Sequence, residues 1–169
     1  MTVFLIGFMG SGKTTVGRKL ASKLNMQSVD LDDKIEEETG MTIEQIFNTK
    51  GEEYFRDIEN KCLKKVIKQK NLILSTGGGT PCYMDNMRFM NQQGVTVYIK
   101  MNSYELYSRL IYSKTNRPLL KNKEKAEMKQ FIQNKLTERK PYYEKAQLIV
   151  KGLNINVGEL AEQIKKKMQ

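Results

Sequence analysis

The sequence predicts a three-layer α/β/α fold built on a five-stranded parallel sheet. Apolar runs of strand length alternate with amphipathic stretches of helix length along the chain, and no internal repeat, low-complexity linker or domain boundary interrupts them. A length of 169 residues leaves room for one domain, 1–169, large enough to fold without a disulfide or a structural metal.

Residues 2–6 are a continuous apolar run closed by glycine, too short for a helix, and read as a buried parallel strand. Residues 13–24 set Val16, Leu20, Ala21 and Leu24 at helical spacing. A second strand is expected at 27–31. Helices follow at 33–38 and 42–49, the latter opened by Thr42 and Gln45 as a capping-box pair. A longer helix at 52–69 carries Phe55, Ile58, Cys62, Leu63 and Val66 on one side. Strands at 72–75, 95–101 and 147–150 then alternate with helices at 85–93, 103–113, 125–146 and 159–168. Residues 114–125 are polar and weakly patterned, and fit a mobile loop or an ordinary surface connection equally well.

Composition removes several classes of chemistry. Histidine is absent, which excludes His-ligated zinc, Ser-His-Asp and Cys-His mechanisms. Two cysteines, Cys62 and Cys82, make neither a disulfide framework nor a metal site. The 29 Lys and Arg against 19 Asp and Glu give a formal charge of +10, a field that favours anionic partners. The basic residues are spread along the chain, without a long basic arm or the aromatic-plus-basic pattern of an RNA-binding sheet. Residues 1–8 are a strand running into a glycine loop rather than a leader, and no stretch approaches the ~20 apolar residues that span a bilayer. A cytoplasmic location is the resulting expectation.

Gly7-Phe8-Met9-Gly10-Ser11-Gly12-Lys13-Thr14 matches the phosphate-binding pattern G-x-x-x-x-G-K-[ST] between an expected strand and an expected helix. Glycines let the backbone wrap with its N–H groups inward, and the helix N-terminus adds partial positive charge where a polyphosphate would sit. Gly10, Ser11, Gly12, Lys13, Thr14 and Thr15 are the candidate ATP-binding residues. Lys13 would reach the β- and γ-phosphates, and the Thr14 hydroxyl is placed for Mg²⁺.

The remaining motifs sort the chain among phosphate-loop proteins. None of the aspartates Asp30, Asp32, Asp33, Asp57 and Asp85 is followed three residues later by glycine, and 48–51 lacks a guanine-reading aspartate, so the GTPase reading fails. The strand at 72–75 ends in Ser75-Thr76-Gly77-Gly78-Gly79 without the carboxylates of a motor ATPase. Asp30 and Asp32, two apart, would share one face of an extended segment at the carboxyl end of the sheet. There Asp30 would support Mg²⁺ through water, and Asp32 would bind a substrate hydroxyl and take its proton. They read equally as strand-end and helix-cap aspartates. Gly77, Gly78 and Gly79 permit close backbone approach to a ligand, or simply form a turn into Thr80-Pro81.

Together these pieces resemble the shikimate kinases. The similarity takes in 7–14, Asp30-Leu31-Asp32, Ile46-Phe47, Gly51-Glu52, Phe55-Arg56-Asp57-Ile58-Glu59, 76–79, Arg117-Pro118-Leu119-Leu120 and Glu138-Arg139-Lys140-Pro141-Tyr142-Tyr143. It implies a nucleoside monophosphate kinase-like fold, ATP as cosubstrate, Mg²⁺, and shikimate phosphorylated at its 3-hydroxyl. It implies that Arg56 and Arg139 clamp the shikimate carboxylate, with Glu59 orienting Arg56. Asp32 would be the base, Gly77–Gly79 would pack along the substrate, and Phe47 and Phe55 would wall the pocket, within a substrate-binding helical segment at about 33–62. Arg117 would act from a lid at about 114–125, and Arg109 would lie against adenine. Taken alone, Arg56 with Glu59 could be a surface pair, Phe47 and Phe55 core residues, and Arg109 and Arg139 solvated charges. The lid carries one arginine where relatives often carry more basic or glycine residues, and 152–157 shows no adenine-side signature. A monomer without nucleic-acid or membrane partners is expected. A gluconate kinase-like enzyme and a nucleotide-dependent nucleic-acid-binding module are the rival readings.

Overall fold

The computed structural model describes residues 1–113 and 124–168. Five strands, β1 (Thr2–Ile6), β2 (Gln27–Asp30), β3 (Leu72–Ser75), β4 (Val95–Lys100) and β5 (Leu148–Lys151), pair in parallel in the order β2-β3-β1-β4-β5. The chain fills one side of β1 with β2 and β3, then crosses to the other for β4 and β5. That reversal opens a crevice beyond the carboxyl end of β1, where open α/β sheets bind ligands.

Alternation along β1 builds the layers. Val3 and Leu5 face a core with Leu20, Ala21, Ile73, Val97, Leu160 and Ile164. Phe4 and Ile6 face a second core with Leu31, Ile46, Leu63, Leu74, Tyr98 and Tyr143. Helices α1 (Lys13–Leu24) and α7 (Val157–Lys167) supply the first face. Helices α2 (Leu31–Thr39), α3 (Ile43–Val66), α4 (Asn86–Gln93), α5 (Ser103–Ile111) and α6 (Lys125–Tyr143) supply the second. The three-layer α/β/α fold is therefore as the sequence predicts.

Departures have local causes. Strand β2 stops at Asp30 rather than residue 31, because the Asp30 carboxylate accepts from the Asp32 N–H and starts α2 at Leu31. The two helices expected at 42–49 and 52–69 form one span, bent where Gly51 adopts φ 83°. Its Thr42–Gln45 capping box forms as expected. Helix α7 begins at Val157 instead of 159, since Asn156 accepts from Gly158 and Glu159 N–H groups. A short 3₁₀ turn at Thr80–Cys82, unforeseen in the sequence, follows the triple glycine. Residues 114–123 of the expected lid, and Arg117 within it, lie outside the described residues. Among the described residues no helix is long and apolar enough to cross a membrane.

Candidate active site

The phosphate loop joins β1 to α1. Gly10 and Gly12 sit in the left-handed region at φ 81° and 93°, which favours glycine. Gly12 is the N-cap of α1 and has no side chain to cap it, so the first-turn N–H groups face outward for an anion. Lys13 Nζ folds back over the loop, donating to the Gly7 and Phe8 carbonyls at 2.9 and 3.0 Å. Ser11 is buried and its hydroxyl has no hydrogen-bond partner among the described residues, while Thr15 is exposed in the first turn of α1.

Thr14 Oγ1 donates to Asp30 Oδ2 at 2.8 Å, and the other Asp30 oxygen caps α2. A hydroxyl and a carboxylate on adjacent elements are hard oxygen donors. They fit Mg²⁺, which keeps several waters and leans on one or two protein oxygens plus substrate phosphates. Among the described residues there is no group of three or more His, Cys, Asp or Glu side chains placed to hold a metal ion.

Asp32 does not share a strand face with Asp30. It lies in the first turn of α2, half-buried, and turns toward the triple glycine. A Cβ built on Gly77 would stand 3.2 Å from Asp32 Oδ1, 3.1 Å from Glu59 Oε1 and 3.1 Å from Thr80 Oγ1. The enclosure, with Asp30 and Glu59 as negative neighbours, pushes the Asp32 carboxyl up to about 7.

The surface-pair reading of Arg56 and Glu59 is wrong. Arg56 is 7% exposed and Glu59 is fully buried, and Arg56 Nη1 donates to Glu59 Oε2 at 2.8 Å. Glu52 accepts from the Nε and Nη2 of the same guanidinium at 3.3 and 3.1 Å. The guanidinium also stands 4.0 Å from the Tyr83 ring centroid and 5.0 Å from that of Phe55. Arg139, on α6, is also buried rather than solvated, with its guanidinium 5.4 Å from the Phe8 ring centroid.

Both arginines meet the glycine strip. A Cβ on Gly79 would fall 2.6–2.9 Å from the Arg56 guanidinium, and one on Gly78 would fall 3.1 Å from Arg139 Nη1 and 3.3 Å from Met9 N in the phosphate loop. Three consecutive glycines therefore lie between a carboxylate, two guanidiniums and the phosphate loop, and any side chain there would fill the crevice. Phe47 and Phe55 pack with ring centroids 4.6 Å apart beside this group; Phe55 is buried in the core and Phe47 is partly open.

Arg109 is no free surface charge. Its guanidinium reaches the carbonyls of Ser11 at 3.2 Å and Gly152 at 3.4 Å, and stands 3.2 Å from a Cβ on Gly12. It thus bridges the phosphate loop and the 152–157 loop for which the sequence offers no signature.

Sequence reasoning missed the residues that hold this arrangement. Thr80 Oγ1 donates to Glu59 Oε1 at 2.6 Å, and Asn86 Nδ2 donates to the Thr80 carbonyl at 3.0 Å. Tyr143 donates to the Gly78 carbonyl at 2.5 Å. The position of Thr80 beside the glycines and of Tyr143 one helical turn beyond Arg139 were the only signals available. A separate cavity of about 600 Å³, bounded by Cys82, Asp85, Arg88 and Tyr142, adjoins the 80–82 turn, and none of the candidate site residues lines it.

A phosphate loop on a parallel sheet, facing a carboxylate beside two buried arginines, defines a phosphoryl-transfer enzyme of the P-loop kinase class. The family model for shikimate kinase matches residues 9–169. The chain is 46% identical over 146 residues to the shikimate kinase of Parabacteroides distasonis, covering 86% of this chain and 84% of that one. Among solved structures, the shikimate kinase of Bacteroides thetaiotaomicron superposes with a TM-score of 0.91 at 38% identity, over 99% and 98% of the two chains. That of Acinetobacter baumannii in complex with shikimate superposes with a TM-score of 0.86 at 36% identity, over 99% and 92%. A deoxyadenosine kinase at 18% identity shares the fold alone. The chain belongs to the shikimate kinase family.

Proposed function

We propose that this chain transfers the γ-phosphoryl group of Mg·ATP to the 3-hydroxyl of shikimate. The observation that carries the acceptor is the convergence of Arg56 and Arg139 on the neighbouring glycines Gly79 and Gly78, beside Asp32 at Gly77. Each guanidinium is a planar fork that matches a carboxylate, and the side-chain-free strip admits a flat ring against the backbone. Asp32 then takes the proton of the attacking hydroxyl, its carboxyl held near the working pH as a general base requires.

On the donor side Lys13 exchanges the Gly7 and Phe8 carbonyls for phosphate oxygens, and α1 offers its open N–H groups. Thr14 and Asp30 would hold Mg²⁺, which would neutralise phosphate charge when bound. Gly10, Ser11, Gly12 and Thr15 complete the phosphate contacts, and Arg109 lies against the nucleotide from α5. Arg117, outside the described residues, adds positive charge to the transferring group from a lid at 114–125. Residues 33–62 act as the substrate-binding segment of one kinase domain. The same reading takes the chain as a monomer working on small molecules in the cytoplasm, without nucleic-acid or membrane partners.

The test is a coupled ADP-release assay with Mg·ATP and shikimate, gluconate or AMP. Turnover with shikimate alone is expected; turnover with gluconate or AMP instead would replace the acceptor while keeping the kinase.

A further inference from the structure

We infer that Tyr143 is a positioning residue for the acceptor: its hydroxyl fixes the peptide between Gly78 and Gly79 and so sets the floor on which shikimate lies. The inference rests on the acceptor reading above but adds a residue that contributes no substrate contact of its own.

Tyr143 is the last residue of α6 and is fully buried. Its ring packs on Tyr98 of β4 with centroids 5.0 Å apart, which ties it to the sheet. Its hydroxyl donates to the Gly78 carbonyl at 2.5 Å, sixty-five residues away in sequence. Burial pushes the Tyr143 hydroxyl well above its usual range, so it stays a donor at every working pH.

The consequence follows from peptide geometry. No peptide in the described chain is cis, and a trans unit sends its N–H opposite to its C=O. Pulling the Gly78 carbonyl toward Tyr143 therefore turns the Gly79 N–H away from α6. Gly79 is the residue against which the Arg56 guanidinium packs, and Gly78 the one against which Arg139 packs. Glycines have no side chains to hold their own peptide planes, so three in a row need an external anchor. Tyr143 supplies it, one helical turn beyond Arg139 on the same helix. One helix end thus places an acceptor arginine and the backbone that faces it, in register with each other.

The test is Tyr143→Phe, which removes one oxygen and leaves the ring packed on Tyr98. The KM for shikimate is expected to rise about tenfold, as for loss of one buried hydrogen bond at a binding site, with the KM for ATP within about twofold and kcat within about threefold of wild type. A purely structural role would lower the melting temperature and leave the shikimate KM in place, and that result overturns the inference. So does an equal rise in both KM values. Wild-type turnover of shikimate in the same assay separates this outcome from a wrong acceptor. A second measurement needs no variant: the wild-type Gly79 amide resonance is expected to shift on adding shikimate and to stay in place on adding a non-hydrolysable ATP analogue. An amide indifferent to shikimate would also sink the idea.

Discussion

Glu59 accepts a 2.8 Å hydrogen bond from Arg56, and both lie one turn apart on α3 beneath the surface. The same carboxylate takes the Thr80 hydroxyl on its other oxygen. Without Glu59 the buried guanidinium keeps only the half-exposed Glu52 as a counter-charge, so Glu59→Ala should lower the unfolding free energy by about 3 kcal/mol in urea titration. Glu52→Ala should cost at most about 1 kcal/mol, because that carboxylate is half in water. Equal losses for the two would mean that Glu59 is not the principal anchor of Arg56.

A methyl group on Gly79 would collide with that guanidinium at 2.6–2.9 Å, although the backbone there, φ −89° and ψ −18°, suits alanine. The whole cost of Gly79→Ala therefore falls on Arg56, which must move. A displacement near 1 Å at a positioning group costs on the order of 100-fold, so kcat/KM for shikimate should fall by about that factor. Nucleotide affinity, measured by calorimetry with an ATP analogue, should be unchanged. Matching losses on both substrates would place Gly79 outside the acceptor pocket.

How much of this was legible depended on whether the determining contacts were local. The phosphate loop is contiguous, and the alternation of strand-length apolar runs with helix-length amphipathic stretches is a local pattern, so loop, sheet and layers could be read directly. Asp30 and Asp32 do not share the face of an extended segment, and the helix-cap alternative holds for Asp30. The side chain that ends β2 is Asp30 itself, and a cap is indistinguishable from a strand residue until the helix forms. Arg56 and Glu59 have a spacing that occurs on open helix faces as well, and their burial is decided by Thr80 and Tyr83, more than twenty residues away. Arg109 meets carbonyls at Ser11 and Gly152, and Tyr143 meets Gly78; none of these leaves a periodic trace.

Arg109 gives a donor-side counterpart to Gly79. Its contacts are exposed or part-buried hydrogen bonds to the phosphate loop and to Gly152. Arg109→Ala should raise the KM for ATP about tenfold while moving the shikimate KM less than about twofold. A variant with wild-type ATP kinetics would return Arg109 to the status of a surface cation.

The raised carboxyl of Asp32 makes two pH predictions of opposite benefit. The folded value of about 7 lies above the ordinary 3.8. Between those values the folded chain holds a proton that the unfolded chain has lost, so stability falls as pH rises through this window and the full cost is present above about 7. Asp32→Asn removes the titration. Without nucleotide and in EDTA, its melting temperature should exceed that of the wild type at pH 8, with the gap closing toward pH 4. Catalysis needs the opposite state, the ionised base, so wild-type kcat/KM for shikimate should climb with pH as Asp32 ionises, and Asp32→Asn should lose nearly all turnover. A variant that is both inactive and less stable than wild type at pH 8 would show that the ionised carboxylate is held by favourable partners, and would remove the basis for its raised value.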